Sequence, residues 1–479
     1  MSRDVRGQET FEPEPGAGGR RVLGAAAVGS APMEVLDFLL PLWAGSELKA
    51  GASTVGALIA VEAVLSLVVR PVAGELSDRL DPRRVAAAGA VLYALSFAGY
   101  ALAGSLAPAF VAAALGGAGG ALFWVALDTW TGRRAAGNGT AAYGKLLSAS
   151  GQGAFVGYLI AFTVLQNAGY RPLFWVGCGA CAVAAALLVV RPETERGVQA
   201  PAPSEAPGDG TQRRLLPLMV LAAVTAGAEA GLWMLLLLQL QGEYGLTPTE
   251  TALVFAPGFI VFILLPEHAH RITDRVGRSW TMGVSFAASA LFAGGLAVVS
   301  GPGPVAVLWT LVAACLAAQI PVEQATVAAA AGGRTGRAMG RYESARLVGV
   351  LVGPPLLGLV YESHGWTAAC LTSAAIALTA AAFAPWAIQA LRLPEEPAPK
   401  TTLRDTDAPD DDLSPQDHAR KERRDWLTHT CIFVPGASLL WILDVTLAAR
   451  IWLTIWIIDT LWSWSYTLFP RRNPPQKKG

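Results

Sequence analysis

Charge is the feature that this chain most lacks. Only 15% of its 479 residues are Asp, Glu, Lys or Arg, whereas globular proteins carry about 25%. The acidic and basic residues balance to a formal net charge of zero, so bulk charge offers nothing that would attract nucleic acid. Sparse charge, together with 53% hydrophobic residues in repeated long runs, indicates a membrane protein that crosses the bilayer several times.

Several kinds of reactive site are also missing. The sequence has no Gly-rich loop ending in Gly-Lys that would cradle phosphate, and no evident pairing of a nucleophile with a base. Cys178 and Cys181 form a C-x-x-C, but they lie in an apolar run rather than in the polar, accessible setting of a redox or zinc site. We therefore expect neither an enzyme nor an ATP-driven machine, and no cofactor or bound metal.

Long apolar runs dominate what is present. A membrane-spanning helix needs about 20 predominantly apolar residues, and the runs predict twelve such helices, of which the eighth is short and interrupted by Pro257-Gly258. The predicted spans are residues 22–43, 53–72, 85–104, 107–127, 145–165, 172–190, 215–240, 251–265, 280–299, 305–330, 340–360 and 366–391.

These spans divide the chain into segments. We expect a disordered cytoplasmic N-terminus without a cleavable signal peptide, two six-helix bundles joined by a cytoplasmic linker, a disordered charged linker and a Trp-rich membrane-associated tail. In that order, the segments are residues 1–21, 22–190, 191–214, 215–391, 392–425 and 426–479. For the tail we favour a hairpin or an interfacial helix over one further span, because both keep its basic end on the cytoplasmic side.

The basic residues set the orientation. Lys and Arg gather in the loops after the even-numbered spans and at the helix ends beside them, whereas the opposite loops hold only Lys49 and Arg171. Since cytoplasmic loops carry the excess of Lys and Arg, both ends of the twelve-helix unit are expected to be cytoplasmic. We expect a multi-pass protein of the cell inner (cytoplasmic) membrane, and a monomer.

The two bundles repeat each other. Asp78-Arg79 recurs 196 residues later as Asp274-Arg275. The same shift relates glycines in several loops and helices, namely Gly144 to Gly340, Gly153 to Gly349, Gly157 to Gly353 and Gly169 to Gly365. One constant offset predicts two halves of the same fold without large net insertions.

A charged turn over residues 74–84, between the second and third spans, carries the spacing G-x-x-x-D-R-x-x-x-R-R. This spacing resembles the signature loop of the major facilitator superfamily of secondary transporters, with Asp81-Pro82 where one Gly is usual. The second copy, over residues 274–278, keeps that family's D-R-x-G-R. The resemblance implies an all-α membrane fold of two six-helix pseudo-repeats related by an axis along the membrane normal. It does not extend to the tail.

The resemblance also implies a gate. In that family the loop's Asp lies near the cytoplasmic N-terminus of the eleventh helix and couples to its dipole, as a latch on the outward-facing state. Asp78 matches this Asp, Asp274 is its counterpart facing the fifth span, and Glu343 with Arg346 forms a partner pair. The simpler alternative is a basic loop that sets the orientation of the protein in the membrane and has no role in gating. The gating residues are Gly74, Asp78, Arg79, Arg83, Arg84, Asp274, Arg275, Glu343 and Arg346.

Acids inside apolar spans are costly and indicate function by default. Glu34 and Asp37 are three residues apart in the first span, so they share one helix face and repel each other, and one is expected to hold a proton near neutral pH. The resemblance places the first, fourth, seventh and tenth spans around a central cavity. A structural role, such as a hydrogen bond to a neighbouring helix, is the alternative for each acid. The candidate substrate- and proton-binding residues are Glu34, Asp37, Glu62, Asp128, Glu229 and Glu323.

Three functions remain open at this point. The preferred one is proton-coupled export of a small organic molecule, either drug-like or a metabolite. The cavity has few candidate cations, which argues against an anionic substrate. The alternatives are a proton-coupled importer of a sugar or small metabolite, and a non-transporting membrane scaffold or assembly factor that docks through its tail.

Overall fold

The computed structural model describes the transmembrane part of the chain and isolated positions of the tail. The described residues are 17–135, 139–190, 209–391, 393, 423, 426, 430, 453, 456, 460 and 464, and they contain no strand. They divide into two compact units, one within residues 15–157 and 168–399, the other comprising residues 158–167 and the described part of the tail. The all-α membrane fold is confirmed.

The helices follow the predicted spans closely in order. They are α1 (Ala17–Ser46), α2 (Ala52–Arg79), α3 (Pro82–Leu102), α4 (Leu106–Arg134), α5 (Gly139–Ala168), α6 (Tyr170–Val189), α7 (Asp209–Gly242), α8 (Pro248–Leu264), α9 (Pro266–Val276), α10 (Arg278–Leu296), α11 (Pro302–Ala330) and α12 (Thr335–Ala390).

The number of spans is only partly confirmed. Among the described residues, seven helices are long and apolar enough to cross a membrane, and an eighth is added if Gly19–Asp37 and Leu39–Ser46, which meet at 47°, form one bent span. Helices α5, α8 and α10 occupy the fifth, eighth and ninth predicted spans. Helix α12 covers the eleventh and twelfth, which are separated by a kink at Gly365. The φ of 83° at Gly365 suits a residue without a Cβ.

Three predicted boundaries are wrong. Helix α1 begins at Ala17 and α7 at Asp209, inside segments expected to be disorder and linker. Hydropathy marks only the lipid-facing length of a helix, whereas Arg and Gln continue it readily into water. Helix α8 passes through Pro257 and ends at Leu264. The break falls before Pro266, which begins α9 at a position where its missing N–H costs nothing.

The motif over residues 74–84, expected to be a turn, is mostly helix. Helix α2 continues to Arg79 and α3 begins at Pro82, so only Leu80 and Asp81 connect them. Asp81 caps α3 by accepting a hydrogen bond from the Arg83 backbone N–H at 3.1 Å, and Pro82 takes the first helical position. Asp81-Pro82 therefore starts a helix at the point where the family pattern has a Gly.

Glycines let helices cross at backbone distance, and they do so identically in both halves. A Cβ at Gly153 or Gly157 would collide with the carbonyl oxygens of Ala27 and Ala31 in α1. In the second half, a Cβ at Gly349 or Gly353 would collide with those of Ala223 and Gly227 in α7. Each of these second-half residues lies 196 positions after its first-half equivalent, so the sequence repeat is also a repeat of helix packing.

Two contacts mark the pseudo-twofold axis between the halves. Gln324 of α11 donates from Nε2 to Oδ1 of Asp128 in α4 at 3.5 Å. A Cβ at Gly132 in α4 would lie 2.9 Å from the Cβ of Ala328 in α11. Both pairs are separated by 196 residues, and a residue that touches its own repeat equivalent must lie close to the axis. Helices α4 and α11 therefore cross on it.

The tail forms its own contacts. The indole N–H of Trp426 donates to Thr460 Oγ1 at 2.8 Å, and that of Trp456 donates to Thr430 Oγ1 at 3.0 Å. Position 426 thus pairs with 460 and 430 with 456, which is the order of two antiparallel segments. The rest of the tail, the segment 191–208 and most of 392–425 lie outside the described residues.

The helix crossings generate a stability prediction. Gly349→Ala places a methyl group against the Ala223 carbonyl, and we expect it to destabilise the protein by about 1–3 kcal/mol through overpacking. The control is Gly358→Ala in the same helix, where nothing lies within 4 Å of the new Cβ. Thermal unfolding in detergent should show a lower Tm for Gly349→Ala only. Equal Tm values would contradict the close crossing of α7 and α12.

Candidate functional site

The first site is a set of polar contacts between the halves, here called the latch. Asp78, near the C-terminal end of α2, accepts hydrogen bonds from the backbone N–H groups of Gly336 at 2.7 Å and Arg337 at 2.9 Å. These amides lie in the first turn of α12, where no intrahelical acceptor exists and the helix dipole is positive. Arg133 of α4 also donates to Asp78, at 2.9 Å. The end of the bundle that carries these contacts is called the latch end.

An ion pair and a glycine contact support the latch. Glu75 accepts two hydrogen bonds from the Arg337 guanidinium, and Arg79 donates to its other oxygen. Gly74 and Gly336 pack so closely that a Cβ on either would collide with the other's carbonyl oxygen. The backbones of α2 and α12 must therefore touch before Asp78 can reach the α12 amides.

Glu343 has a different partner from the one expected. Arg70 of α2 forms an ion pair with Glu343 of α12 at 3.1 Å and also donates to its backbone carbonyl at 2.5 Å. The expected partner, Arg346, instead lines a cavity in the second half. The two side chains are neighbours on one helix, but Arg70 reaches Glu343 from across the interface.

The structure describes the side chains of only some of the remaining gating candidates. Arg83 is buried at the start of α3 with 5% of its surface exposed, whereas Arg84 is exposed. Asp274 and Arg275 belong to α9, but their side chains lie outside the described residues. The second latch expected around Asp274 therefore stays a prediction.

The second site is a cluster of acids in the first half, formed by Glu34 and Asp37 of α1 and Glu62 of α2. Glu34 and Asp37 are exposed on the protein surface, and Glu62 is half-buried. Asp37 lies within electrostatic reach of both Glu34 and Glu62. Tyr93 of α3 donates its hydroxyl to Glu62 Oε1 at 3.2 Å. The structure thus brings together three of the six predicted acids, and we call them the acid cluster.

Local backbone features position the acid cluster. Pro41 cannot donate a hydrogen bond to the carbonyl of Asp37, four residues earlier, and α1 bends by 47° between Asp37 and Leu39. A Cβ at Gly117 of α4 would collide with the Glu62 carbonyl oxygen, and one at Gly116 would lie 3.3 Å from Glu62 Oε1. Gly117 therefore lets the backbone of α2 approach α4, and Gly116 leaves room for the Glu62 carboxylate.

Two further acids are buried near the axis. Asp128 is 4% exposed, faces Gln324 and lies within electrostatic reach of Arg70 and Arg346. Glu323 is 3% exposed and accepts hydrogen bonds from Gln319 at 3.0 Å and from the Tyr342 hydroxyl at 2.6 Å. Both acids therefore belong to a buried polar network between the latch and the second half.

The third site is a cavity of about 290 Å³ inside the second half. Helices α7, α10, α11 and α12 form its walls, with Glu229 and Arg346 as its charged groups and Trp233 and Trp309 among its aromatic ones. Three fully buried atoms on its lining, Glu229 Oε1, Ser289 Oγ and Ser373 Oγ, have no hydrogen-bond partner among the described residues. Such groups are costly unless something else satisfies them.

Sequence reasoning missed the residues that complete these sites. Arg70, Glu75, Tyr93 and Gln324 act only through partners on other helices, and nothing in their own neighbourhoods signals the contact. The serines of the cavity are small polar residues in apolar runs and resemble packing residues. The repeat could have identified Gln324, because it lies 196 residues after Asp128 and both are polar.

Known proteins agree with this architecture. The family model of the Major Facilitator Superfamily matches the chain twice, at residues 22–221 and 218–471. The second match runs through most of the tail, so the expectation that the resemblance stops before it is wrong. No curated protein matches the sequence.

Solved structures share the fold at low identity. The human organic anion transporter TETRAN is 15% identical, with a TM-score of 0.62 over 78% of this chain and 100% of its own. The fucose:proton symporter of E. coli is 15% identical, with a TM-score of 0.61 over 78% and 97%. A bacterial homologue of the iron transporter ferroportin, in an outward-facing state, is 15% identical, with a TM-score of 0.63 over 78% and 99%.

The latch generates a prediction for hydrogen exchange. Asp78→Asn keeps the shape of the side chain but removes the charge that two α12 amides and Arg133 share. A hydrogen bond to a charged group is worth about 1.5–3 kcal/mol. We therefore expect the amides of residues 336 and 337 to exchange at least about tenfold faster.

The matched control is Asp81→Asn, which disturbs the cap of α3 instead. It should speed exchange at the start of α3 and leave α12 unchanged. Unaltered exchange at residues 336 and 337 in Asp78→Asn would contradict the latch geometry.

Proposed function

We propose that this chain, which belongs to the major facilitator superfamily, is a secondary active transporter that exports a small organic molecule, drug-like or a metabolite, in exchange for protons. Transport would proceed by alternating access, with the two halves rocking against each other across the interface where α4 and α11 cross. The observation that carries the proposal is the acid cluster, in which three carboxylates of two membrane helices lie together.

The acid cluster supports proton coupling by its electrostatics. Among the described residues, neither Asp37 nor Glu62 forms an ion pair with a Lys or an Arg. Like charges held close together repel one another, and a proton bound by one of the carboxylates relieves that repulsion. A site that takes a proton from one side of the membrane and releases it on the other needs this property.

The latch supports alternating access. Its contacts join α2 of the first half to the start of α12 in the second, so they must break for the latch end to open. If the arginine-rich loops are cytoplasmic, the structure represents a state closed to the cytoplasm. Protons would then reach the acid cluster from outside before the latch opens.

The direction of transport rests on the sequence alone. In the superfamily that this chain resembles, the pattern G-x-x-x-G-P-x-x-G-G is associated with exporters when it falls in the fifth span. Here its best match lies at residues 349–358 in the eleventh span, with Leu357 for one Gly, and Tyr158 stands where the fifth span would need Pro, so the pattern counts against export rather than for it. The proposal also includes a monomer in the inner (cytoplasmic) membrane, with both ends of the twelve-helix unit cytoplasmic. The symporter alternative differs in the sign of coupling, which transport measurements can read directly.

Proteoliposomes test the function and identify the substrate in the same experiment. They are incubated with a cell metabolite extract under an inward or outward proton gradient, and mass spectrometry identifies the compounds that accumulate. An exporter that exchanges for protons accumulates its substrate when the lumen is the acidic side. A symporter accumulates it when the outside is acidic.

Variants connect that transport to the acid cluster. We expect Asp37→Asn with Glu62→Gln to abolish gradient-driven accumulation, because Glu34 then has no neighbouring like charge in the cluster that favours proton binding. The control is Glu362→Gln, an exposed acid of α12 in the second half. Accumulation that is unchanged in the double variant, or absent in the parent protein under both gradients, would contradict the proposal.

A further inference from the structure

We propose that the cavity in the second half binds the transported molecule and that this molecule is a small aromatic zwitterion. Its carboxylate would face Arg346, its ammonium group would face Glu229, and its ring would lie against Trp233 and Trp309. The assignment rests on the proposed transport function, since it names the substrate class. It places the substrate inside one half rather than in the acid cluster of the other.

Unpaired opposite charges carry the assignment. Arg346 and Glu229 both line the cavity and interact electrostatically, yet they form no ion pair with each other. The guanidinium makes no hydrogen bond or ion pair with any described residue and lies over the ring of Tyr342 at 5.8 Å; Glu323 and Glu343 also lie within its electrostatic reach. A molecule with a single charge would satisfy only one of the two groups, whereas a zwitterion satisfies both.

Buried hydroxyls supply further polar contacts. Ser289 is 9% exposed and Ser373 is 3% exposed, and the oxygen of each lines the cavity without a partner among the described residues. Glu229 Oε1 is in the same situation. A set of buried donors and acceptors converging on one cavity is what a polar ligand requires, and its binding would remove the cost of leaving them unpaired.

The aromatic wall is fixed in place before any ligand arrives. The indole N–H of Trp309 donates to the Phe255 carbonyl at 2.9 Å, and Trp309 lies 4.9 Å from Trp233 between ring centroids. Gly258 provides space for this indole, because a Cβ there would collide with it. Rigid indoles bind flat rings and ammonium groups through their π faces. A volume near 290 Å³ is at the lower end for ligand pockets and suits a small molecule.

Residues at equivalent positions of the repeat suggest that proton binding and substrate binding lie in different halves. The residues 196 positions before Trp233, Ser289 and Trp309 are Asp37, Tyr93 and Ala113, which place an acid and a phenol of the first half where the second has an indole and a hydroxyl. The equivalent of Arg346 is Ser150. Equivalent regions of the two bundles therefore carry different chemistry, acids for protons in one and an aromatic, charged cavity in the other.

Three indole probes of equal ring size test the charge requirement. Tryptophan is a zwitterion, tryptamine a cation and indole-3-propionate an anion near neutral pH. Binding to the purified full-length protein in detergent is measured by calorimetry and by thermal shift, without a proton gradient. Tryptophan should bind at least about tenfold more tightly than either of the others. Equal affinities, or no binding of any probe at millimolar concentration, would overturn the inference.

Variants assign each charge to its residue. Arg346→Gln should weaken the binding of tryptophan and indole-3-propionate by about tenfold or more and leave the binding of tryptamine unchanged. Arg346→Lys should restore part of the lost affinity. Glu229→Gln should weaken the binding of tryptophan and tryptamine and leave the binding of indole-3-propionate unchanged. The control for an exposed cation is Arg20→Gln. Unchanged tryptophan affinity in Arg346→Gln would contradict the site, and if that variant does not fold, unchanged affinity in Arg346→Lys would do so.

The outcomes separate this inference from the transport proposal. Gradient-driven transport that depends on the acid cluster, without indole binding, would overturn only the substrate site. Indole binding that follows the predicted charge pattern, without proton-coupled transport, would leave the site standing and overturn the transport mechanism.

Discussion

One carboxylate set against the start of a helix holds the two halves together at the latch end. Asp78 lies near the C-terminal end of α2 and accepts hydrogen bonds from two backbone amides in the first turn of α12. Those amides have no acceptor within their own helix, so a single side chain satisfies them and the positive end of the helix dipole together. Because the contact joins different halves, its free energy is part of what any opening of this end must supply.

The rest of the molecule is arranged so that this contact is possible. Glycines at the α2–α12 crossing allow the backbones to touch, and the Gly–carbonyl crossings inside each half repeat at an offset of 196 residues. The helix packing is the same in both halves, but the functional side chains differ. The first half holds three acids with Tyr93, and the second holds a cavity with Glu229, Arg346 and two tryptophans. Proton binding and substrate binding can therefore occupy different bundles while sharing one gate.

The fold was predictable because its determinants are local or repeated. Long apolar runs marked the helices, and a constant offset marked the halves, since both are properties of residues close in sequence or equivalent by duplication. The contacts were not predictable, because they depend on how each helix is rotated against its neighbours. Helical spacing suggested Arg346 for Glu343, yet Arg70 reaches it from another helix. Spacing likewise could not reveal that Glu229 and Arg346 share a cavity. The helix over residues 74–79 was not predictable in this way, because a charged stretch between two apolar spans is typical of a turn.

Pulsed electron resonance tests the central claim, that the charge of the acid cluster decides whether the latch end is open. Spin labels are attached at Arg84→Cys on α3 and Arg341→Cys on α12, both exposed, in a chain whose own five cysteines are replaced. Carboxylates gain protons as pH falls, so the account predicts that acid shifts the population towards longer distances. It also predicts that Asp37→Asn with Glu62→Gln abolishes this response. A distance distribution that ignores pH, or one that responds equally in the variant, would contradict the account.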